Sequence, residues 1–428
     1  MRCAQSVALE RAPPTPFENN KGTTMPEYYM LSFSSHQDRA ALLGETVSFY
    51  GTLLDTSRRV LGATIKWRIE RNACELVAVG EYPSNSYLSG ATFKAEKNGW
   101  YKCTFEAYLE GKRVATTAVG ALVERETIKP TLPVPADFDE FWQRQRDRVD
   151  AIPMNLRLTP LENDSILEVF DLQVDCTNDT PVSGILARPL NAKKGGHPAI
   201  LVTHGAGVRS AGEGRFLSFA AKGFLSLDIN AHGLPNGKPV EFYDKLGNGE
   251  LMGYPLRGFD TGDPEKVYML GMFHRVYRAL EALVAMPEWD GRNLWLFGGS
   301  QASWQSFVGA ALMPKVSGMA VWIPAGADMA GGGWPFNYYA DKPVPESMRR
   351  TMPYFDSTSF ATRIDKIPVI CEAGLIDMVC KADGVMAAYN SLATEDKTLN
   401  LHYQMGHETL ESEIAEMERF IMIHLVNS

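Results

Sequence analysis

The residues best suited to chemistry surround a serine that follows an apolar strand. Residues 294–297 read Leu-Trp-Leu-Phe and run directly into residues 298–302, Gly-Gly-Ser-Gln-Ala, and then into a helical pattern. A nucleophilic serine at such a strand-to-helix turn has a strained backbone, so small residues are required two positions before and two positions after it. Gly298 and Ala302 meet this requirement, although the usual pattern ends in glycine. The segment therefore predicts that Ser300 is a nucleophile.

A nucleophilic serine needs a base and an acid that orients the base. In this type of site the chain order is Ser, then Asp or Glu, then His. A predicted strand at residues 368–372 is followed by a loop with Asp377, and a strand at residues 399–404 is followed by a loop with His407. Because ligand sites of open α/β sheets lie at the carboxyl ends of the strands, we expect these side chains to converge there with Ser300. The sequence predicts a catalytic triad.

Other residues could fill the same roles, but their positions favour them less. His402 falls within a strand, where packing is expected, and His424 falls on the terminal helix. Asp328 follows an earlier strand, where some hydrolases built on an open α/β sheet place the acid. Asp383 lies just downstream of Asp377. Taken singly, either member of the predicted acid–base pair is equally consistent with a surface side chain. Their joint occurrence after consecutive strands favours the triad.

An oxyanion formed on an attacked carbonyl needs preorganised donors. These are normally the backbone N–H after the nucleophile and one from an early strand-to-helix loop. Gln301 supplies the first. Residues 203–207 directly follow an apolar strand and are the expected source of the second, with the N–H of Ala206 as the donor. His204 in this loop is expected to support it rather than to transfer a proton.

Several aromatic residues lie near segments that could cover a pocket. Aromatic side chains commonly line ligand sites, and their faces suit sugar rings. Tyr254, Trp304 and Trp334 are the predicted substrate contacts, and Phe259 lies in the same region. Ordinary packing is the main alternative for each of them, because Trp304 falls on the helix that follows the nucleophile.

The elements around these residues alternate between strands and helices. Apolar strands at residues 198–203 and 224–229 and the strand before Ser300 are separated by amphipathic helical stretches. This alternation builds a mostly parallel sheet with helices on both faces. The sequence predicts an α/β-hydrolase fold over residues 151–428, ending in a helix that begins near Glu408.

The preceding sequence has a different period. Short runs with alternating apolar residues, such as residues 46–51 and 99–108, are separated by polar or glycine-containing turns. This pattern is typical of an antiparallel sandwich and predicts an Ig-like all-β domain at residues 26–125. Trp67 is expected to be a core residue. The usual inter-sheet disulfide is not expected, because Cys74 follows the tryptophan.

A stiff connection joins the two predicted domains. Residues 129–135 contain three prolines, each of which fixes φ and favours an extended predecessor. Asp137 then occupies a helix N-cap position, and apolar residues recur at helical spacing up to Asp150. We assign residues 126–150 to a linker and a helix that docks on the catalytic domain.

Composition limits the classes of partner and compartment. The 428 residues carry 51 acidic and 42 basic side chains, a net charge of -9 that disfavours nucleic acid and anionic lipid. No apolar stretch reaches the roughly 20 residues that span a bilayer. Residues 1–25 lack the apolar block of a secretory signal and are expected to be a disordered tail or an artefactual extension. Six cysteines without close pairing fit a reducing compartment, so a cytoplasmic location is expected.

From residue 135 onward the chain resembles the acetyl xylan esterase and cephalosporin-C deacetylase family of α/β hydrolases, which is carbohydrate esterase family 7-like. Five motifs carry the resemblance, and together they are quite specific. They are Pro-Ala-Asp-Phe-Asp-Glu-Phe-Trp at 135–142, Gly-Gly-Ser-Gln at 298–301, Gly-Leu-Ile-Asp-Met-Val-Cys at 374–380, Ala-Ala-Tyr-Asn at 387–390 and Met-Gly-His-Glu at 405–408.

The resemblance implies a function as well as a fold. It implies Ser300, Asp377 and His407 as the triad, with the N–H groups of Gln301 and Ala206 as the oxyanion hole. It implies a serine carboxylesterase that deacetylates acetylated carbohydrates, such as xylo-oligosaccharides, or related small acetyl esters through an acyl-enzyme. No metal or other cofactor is implied. Family members are often oligomeric, so a homo-oligomer is compatible with the resemblance.

The sequence departs from the family pattern at several places around the pocket. Ala302 replaces a common glycine, Ala206 replaces an aromatic residue, residues 230–233 replace an Arg-Gly-Gln segment, and the prolines after Cys380 are missing. The substrate can therefore differ from that of the best-known members. The alternatives are an α/β hydrolase acting on another bond, such as a peptidase, lactonase or uronate methyl esterase, and a non-catalytic carbohydrate-binding protein with a degenerate hydrolase core.

Overall fold

The computed structural model consists of an all-β part followed by an α/β part. The expected tail at residues 1–25 lies outside the described residues. The structure describes residues 28–56, 58–86, 90–161, 166–212 and 215–426.

In the described residues the first part, which we call the amino-terminal β unit, contains eight strands. They are β1 (Tyr28–Ser34), β2 (Thr46–Asp55), β3 (Arg58–Arg59), β4 (Thr64–Arg71), β5 (Glu75–Pro83), β6 (Ala91–Lys94), β7 (Gly99–Leu109) and β8 (Lys112–Val123). The strands form two antiparallel sheets, one with the order β1-β2-β3 and β6 paired to β2, the other with the order β5-β4-β7-β8. The strands predicted from period-two alternation are present, and the Ig-like connectivity stays a prediction.

Alternating burial along these strands builds a core that both sheets share. Phe49 of β2 and Phe105 of β7 are fully buried in it, and Trp67 packs against it as expected. Cys74 is exposed, Cys103 is buried, and both are free thiols. The amino-terminal β unit is therefore held by apolar packing and its strand ladders.

The predicted docking helix is present as α1 (Phe138–Asp150). Its apolar side packs against the α/β part, where the ring of Trp142 contacts Phe273, Phe355 and Phe360. Asp137 occupies the N-cap position but makes no capping bond to the helix. Its carboxylate instead accepts a hydrogen bond of 2.5 Å from the hydroxyl of Tyr354, so it contributes to docking.

Within the ranges that the structure describes, the second part is built on nine strands. They are β9 (Arg157–Pro160), β10 (Leu167–Val174), β11 (Val182–Pro189), β12 (His197–Val202), β13 (Leu225–Ile229), β14 (Trp289–Gly299), β15 (Gly318–Trp322), β16 (Val369–Gly374) and β17 (Lys397–His402). They form one sheet in the order β17-β16-β15-β14-β12-β13-β11-β10-β9. Strands β12 to β17 pair in parallel, whereas β9, β10 and β11 add antiparallel pairs at one end.

Helices cover both faces of this sheet. Besides α1 they are α2 (Phe216–Ala221), α3 (Val240–Gly247), α4 (Tyr268–Val284), α5 (Gln301–Leu312), α6 (Glu346–Phe355), α7 (Ser357–Ala361), α8 (Ala382–Ser391) and α9 (Glu411–Val426). Short 3-10 turns lie at Arg125–Thr127, Thr177–Asp179, Tyr254–Leu256, Phe259–Thr261, Pro264–Lys266, Met329–Gly331 and Asn337–Tyr339. One apolar core includes residues of α1, α4 and α5, and a second includes residues of α2 and α9. None of the helices in the described ranges combines the length and apolar composition that a bilayer-spanning segment requires.

The strand order changes direction at β12, which lies between β13 and β14. The connections that leave β12 and β14 therefore diverge from neighbouring strand ends. Such a switch point is where open α/β sheets bind ligands, because the diverging connections leave a crevice. The segments predicted to carry the oxyanion donors and the nucleophile follow these two strands.

Candidate active site

Ser300 lies at the turn between β14 and α5 with φ 56° and ψ -123°. A positive φ at a residue other than glycine costs about 1–3 kcal/mol and persists only where the surroundings enforce it. Two glycines allow this turn. A Cβ on Gly298 would lie 2.4 Å from the Cβ of Ala302, and a Cβ on Gly299 would lie 2.2 Å from the indole of Trp322. Glycine at position 298 thus makes room for the alanine that departs from the usual pattern.

The three residues predicted as the triad lie in hydrogen-bond contact. His407 Nε2 is 3.1 Å from Ser300 Oγ, and His407 Nδ1 is 2.8 Å from Asp377 Oδ2. Asp377 is fully buried, and its Oδ1 accepts backbone hydrogen bonds from Val379 at 2.7 Å and Cys380 at 3.0 Å. The acid is therefore fixed in place, with one oxygen left to orient the imidazole.

Two loops carry the acid and the base, and they are paired with each other. We call residues 375–380 the acid loop and residues 403–409 the base loop. The N–H of Leu375 donates to His402 O at 2.8 Å, and the N–H of Ile376 donates to Met405 O at 3.1 Å. A Cβ on Gly374 would lie 2.4 Å from Met405 O, so glycine permits this close approach. The positions of Asp377 and His407 consequently depend on each other.

The two segments predicted to carry the oxyanion donors are both adjacent to the nucleophile. Gln301 is the first residue of α5, and the first N–H groups of a helix have no acceptor within the helix. Ala206 lies in the connection after β12, and this connection is adjacent to the nucleophile, since a Cβ on Gly205 would lie 4.0 Å from Ser300 Cβ. The structure thus brings both predicted segments beside Ser300.

A buried tyrosine connects these two segments. The hydroxyl of Tyr254 donates to Gln301 Oε1 at 2.5 Å and accepts from the N–H of Gly207 at 3.2 Å. Through these two bonds Tyr254 holds the two segments together. Its side chain is only 6% exposed in this structure, in contrast to the predicted contact with substrate.

His232 supports the same segment and was missed in the sequence. Burial lowers the pKa of His232 to about 3, so its ring is neutral and has one N–H. Its Nε2 lies 3.2 Å from Gly207 O and donates to it, which leaves Nδ1 to accept from the Tyr268 hydroxyl at 2.8 Å. The signal for His232 in the sequence is the departure from the family pattern at residues 230–233, which include it.

The predicted aromatic substrate contacts have different surroundings. Trp304 is fully buried in the core of the α/β part, where its indole N–H donates to Phe355 O at 2.6 Å. It is therefore a packing residue here, in contrast to the predicted contact with substrate. Phe259 is also fully buried. Trp334 is half-buried and packs edge-on against Trp304, and its contact with substrate stays a prediction.

The other histidines considered for proton transfer lie in different environments. His204 donates from Nδ1 to Gly205 O at 2.8 Å, and burial lowers its pKa to about 4, so it is neutral. This bond lies within the loop of residues 203–207, which His204 was expected to support. His424 lies on α9 with its ring 4.1 Å from that of Phe420. The structure places neither ring against the nucleophile.

Among the described residues, two groups bring three possible metal ligands within 4.8 Å of one another. One group is Glu372, His402 and Glu413. His402 Nε2 is 3.6 Å from the Glu372 carboxylate and 3.3 Å from that of Glu413. Burial lowers the pKa of His402, but the two carboxylates raise it by a larger amount. The three side chains therefore form a network of ion pairs. The pKa of His402 is accordingly above its ordinary value.

The other group adds Cys380 to Asp377 and His407. Its thiol is buried beside the triad, whereas in the sequence Cys380 stands out only as the last residue of a family motif. Burial, and then the charge of Asp377, raises the pKa of the Cys380 thiol well above its ordinary value. The thiol therefore stays protonated and does not compete with Ser300 as a nucleophile.

The two alternative acids have other partners. Asp328 Oδ1 accepts from the N–H of Thr131 at 2.8 Å, and Oδ2 accepts from the Thr131 hydroxyl at 3.0 Å. Asp383 lies on α8 and accepts from the N–H of Gly384 at 3.0 Å. Asp328 ties the proline-rich linker to the α/β part, whereas Asp377 alone of the three contacts His407.

We expect Asp328→Asn to remove a pH-dependent loss of stability. Burial, and then the charge of Asp356, raises the pKa of Asp328 from 3.8 to about 7. Between these values the unfolded state loses the proton while the folded state keeps it, so the free energy of unfolding falls as the pH rises towards 7. Asparagine cannot ionise, and its amide oxygen can still accept from the N–H of Thr131 while its NH₂ donates to the Thr131 hydroxyl, so both contacts remain with the second reversed in direction. At pH 8 the variant should be more stable by about 1–4 kcal/mol.

Urea unfolding of wild type and Asp328→Asn at pH 4, 6 and 8 measures this difference. The two proteins should be close in stability at pH 4 and diverge above it. A difference that stays constant over the whole range would contradict the prediction, since it would show that ionisation at this position does not affect folding.

The strand order, the strained serine and the converging acid and base define an α/β hydrolase. The chain belongs to the acetyl xylan esterase family, because the model of that family (AXE1) matches residues 85–330 and 336–424. A curated relative, the acetyl esterase Axe7A of Xylanibacter ruminicola, is 30% identical over 305 residues, which cover 68% of this chain and 68% of the relative. The predicted family is confirmed.

Two solved structures share the fold. The acetyl xylan esterase from Paenibacillus sp. R4 superposes with a TM-score of 0.61 at 24% identity, covering 70% of this chain and 98% of its own. Acetyl xylan esterase 1 from Thermoanaerobacterium sp. JW/SL YS485 gives a TM-score of 0.61 at 23% identity, with the same coverage of 70% and 98%. Family membership makes this chain a carboxylic ester hydrolase and supports hydrolysis of carbohydrate acetyl esters.

Proposed function

We propose that this protein is a serine esterase that removes acetyl groups from acetylated carbohydrates of the xylo-oligosaccharide type, or from related small acetyl esters. The observation that supports this most directly is the continuous contact from Asp377 through His407 to Ser300, at 2.8 and 3.1 Å. The same contact order activates serine for acyl transfer in several unrelated folds. The names of the relatives support acetate as the acyl group.

In the acylation step, Ser300 Oγ attacks the acetyl carbonyl carbon while its proton passes to His407 Nε2. Asp377 stabilises the imidazolium and keeps Nδ1 protonated. The C–O bond to the sugar breaks, and the sugar oxygen takes the proton from His407. Water then gives a proton to the same nitrogen and attacks the carbonyl carbon of the acetyl-serine. The bond from that carbon to Ser300 Oγ breaks, Oγ takes the proton from His407, and acetic acid leaves and ionises to acetate in solution. The histidine returns to its neutral form at the end of each half-reaction.

The negative charge on the carbonyl oxygen is stabilised by the N–H groups of Gln301 and Ala206. Gln301 is at the N-terminus of α5, so the helix dipole adds a favourable positive potential at the same point. Tyr254 and His232 keep the donors in position before the substrate arrives. Because the donors are preorganised, little reorganisation is needed when the charge forms.

Product analysis tests the substrate class. The protein is incubated with acetylated xylo-oligosaccharides and, separately, with a methyl uronate ester, and released acetate and methanol are quantified. We expect acetate release with much slower methanol release. A protein that releases methanol but not acetate would be a uronate methyl esterase. If neither acetate nor methanol were released and a fluorophosphonate did not label Ser300, the result would contradict an esterase of either kind.

A further inference from the structure

The amino-terminal β unit contacts the acid loop through a buried hydrogen bond. Trp100 lies near the start of β7 and is fully buried together with Leu375. Its indole N–H donates to Leu375 O at 2.8 Å, across 275 positions of sequence. Leu375 is two residues before Asp377. The bond therefore fixes the backbone from which the acid side chain extends.

The neighbouring strand β8 contacts both loops through its backbone. The N–H of Gly120 donates to Tyr403 O at 2.9 Å, at the start of the base loop. A Cβ on Gly120 would lie 2.3 Å from Leu375 O, so only glycine permits the strand to approach the acid loop this closely. One residue of the amino-terminal β unit thus lies against both segments that carry the predicted acid and base.

A third contact comes from the other sheet of the amino-terminal β unit. The side-chain amide of Gln404 donates to the backbone carbonyl of Ser32 and to its hydroxyl, the latter at 3.2 Å. The Ser32 hydroxyl also donates to Ala118 O at 3.1 Å, so it is held by both sheets. Gln404 is three residues before His407. The base loop is consequently attached at two successive residues, Tyr403 and Gln404.

We propose that the amino-terminal β unit positions the triad, with Trp100 and Gly120 as positioning residues that act through the acid loop and the base loop. This inference rests on the proposed function of Asp377 and His407. Loops are mobile by default, and catalytic groups must be held to within about 0.5 Å of their productive geometry. The bonds from Trp100 and Gly120 end on backbone carbonyls two and four residues from Asp377 and His407, where they restrict the loops directly.

The first test replaces Trp100 by phenylalanine, which keeps an aromatic ring and removes the N–H. Loss of this donor frees the acid loop and disturbs the Asp377–His407 contact. We expect kcat for 4-nitrophenyl acetate to fall about tenfold, since displacement by 1 Å costs about 100-fold. KM for this small ester should change less than about twofold, because the variant leaves the loop of residues 203–207 and the start of α5 unchanged.

Trp142→Phe is the matched control. Trp142 is also buried, at 2% exposure, and its indole N–H donates to a backbone carbonyl, that of Tyr354, at 2.9 Å. It lies on α1 and bonds to neither loop. Both variants should lose similar thermal stability, and kinetics are measured at a temperature where both are fully folded. Only Trp100→Phe should lose kcat.

Glycine substitutions give a second, independent pair. Gly120→Ala places a methyl group against Leu375 and should lower kcat at least as much as Trp100→Phe. Gly80→Ala is its control, because the added Cβ would lie 2.4 Å from the ring of Trp67, within the amino-terminal β unit. That variant should lose stability without losing kcat.

Hydrogen exchange separates this inference from the proposed function, since it needs no activity. Peptides covering the acid loop should exchange faster in Trp100→Phe than in wild type or Trp142→Phe. Unchanged exchange and unchanged kcat in both Trp100→Phe and Gly120→Ala would overturn the positioning role, and so would equal losses of kcat in the controls. A wild-type protein without esterase activity would overturn the proposed function instead, and loop exchange would still decide whether Trp100 holds the loop.

Discussion

Replacing Ser300 by alanine is expected to lower kcat for acetyl-ester hydrolysis on the order of 10⁶-fold. The side chain lost is the group that forms the covalent bond, and no neighbour can replace it. The Cys380 thiol beside the triad stays protonated, because burial and the charge of Asp377 raise its pKa. Oxyanion stabilisation and substrate binding remain, so a small residual rate above that of water is expected. Initial rates of acetate release measure the loss.

Ser306→Ala is the matched control for this experiment. Ser306 lies on the same helix, α5, and is buried, with its hydroxyl donating to Ala302 O at 2.9 Å. Removing that hydroxyl should leave kcat within about twofold of wild type, since hydrogen bonds of this kind contribute mainly to stability. A fluorophosphonate should label the wild type and Ser306→Ala on Ser300 and leave Ser300→Ala unlabelled. Retained turnover in Ser300→Ala would show that another residue is the nucleophile.

The family, the α/β-hydrolase core and the convergence of Ser300, Asp377 and His407 could be predicted from sequence because each depends on a local pattern. The strand before Ser300 and the helix after it are both short-range signals. The small residues at 298 and 302 follow from a steric requirement of the turn, because a Cβ at position 298 would lie 2.4 Å from the Cβ of Ala302. Asp377 and His407 each follow a strand of one parallel sheet. Parallel strands present their carboxyl ends at one edge, so proximity followed from strand type alone.

The surroundings of the aromatic residues could not be predicted in the same way. Helical spacing places Trp304 on the helix after the nucleophile but does not show which faces other elements cover. The structure buries both Trp304 and its helical neighbour Phe307 in the same core, so the position that suggested a pocket is an interior one. The contacts of Tyr254 could not be predicted either, because they depend on where two separate loops meet. Its hydroxyl bonds to residues 47 positions away on both sides.

The role inferred for the amino-terminal β unit was also outside what the sequence could indicate. Period-two alternation predicts strands and their buried faces, but it carries no information on what the outer residues of a sheet contact. Trp100 follows the apolar pattern of β7 and would be read as a core residue. Its indole N–H is polar and must find an acceptor when buried, and the acceptor is supplied by a loop 275 positions away.

Replacing Asp377 by asparagine should lower kcat about 10⁴-fold while leaving the fold intact. The amide oxygen can still accept the two backbone bonds from Val379 and Cys380 that Oδ1 accepts now. The amide NH₂ then faces His407 Nδ1, which must become an acceptor, so the imidazole proton moves to Nε2. In that tautomer Nε2 cannot take the proton of Ser300. The imidazolium formed during attack would also lack its neighbouring carboxylate.

Asp383→Asn is the control that separates this tautomer effect from the loss of any buried carboxylate near the site. Asp383 is buried six positions further along the chain, burial raises the pKa of its carboxyl, and asparagine keeps the oxygen that accepts from the N–H of Gly384. Wild type and both variants are compared by kcat for 4-nitrophenyl acetate and by thermal unfolding. Asp383→Asn should stay within about threefold of wild type, since it removes no contact of the triad. If Asp377→Asn kept its activity, or if both variants lost it equally, the buried hydrogen bond at His407 Nδ1 would not be setting the tautomer, and the imidazole would have to be oriented by another group.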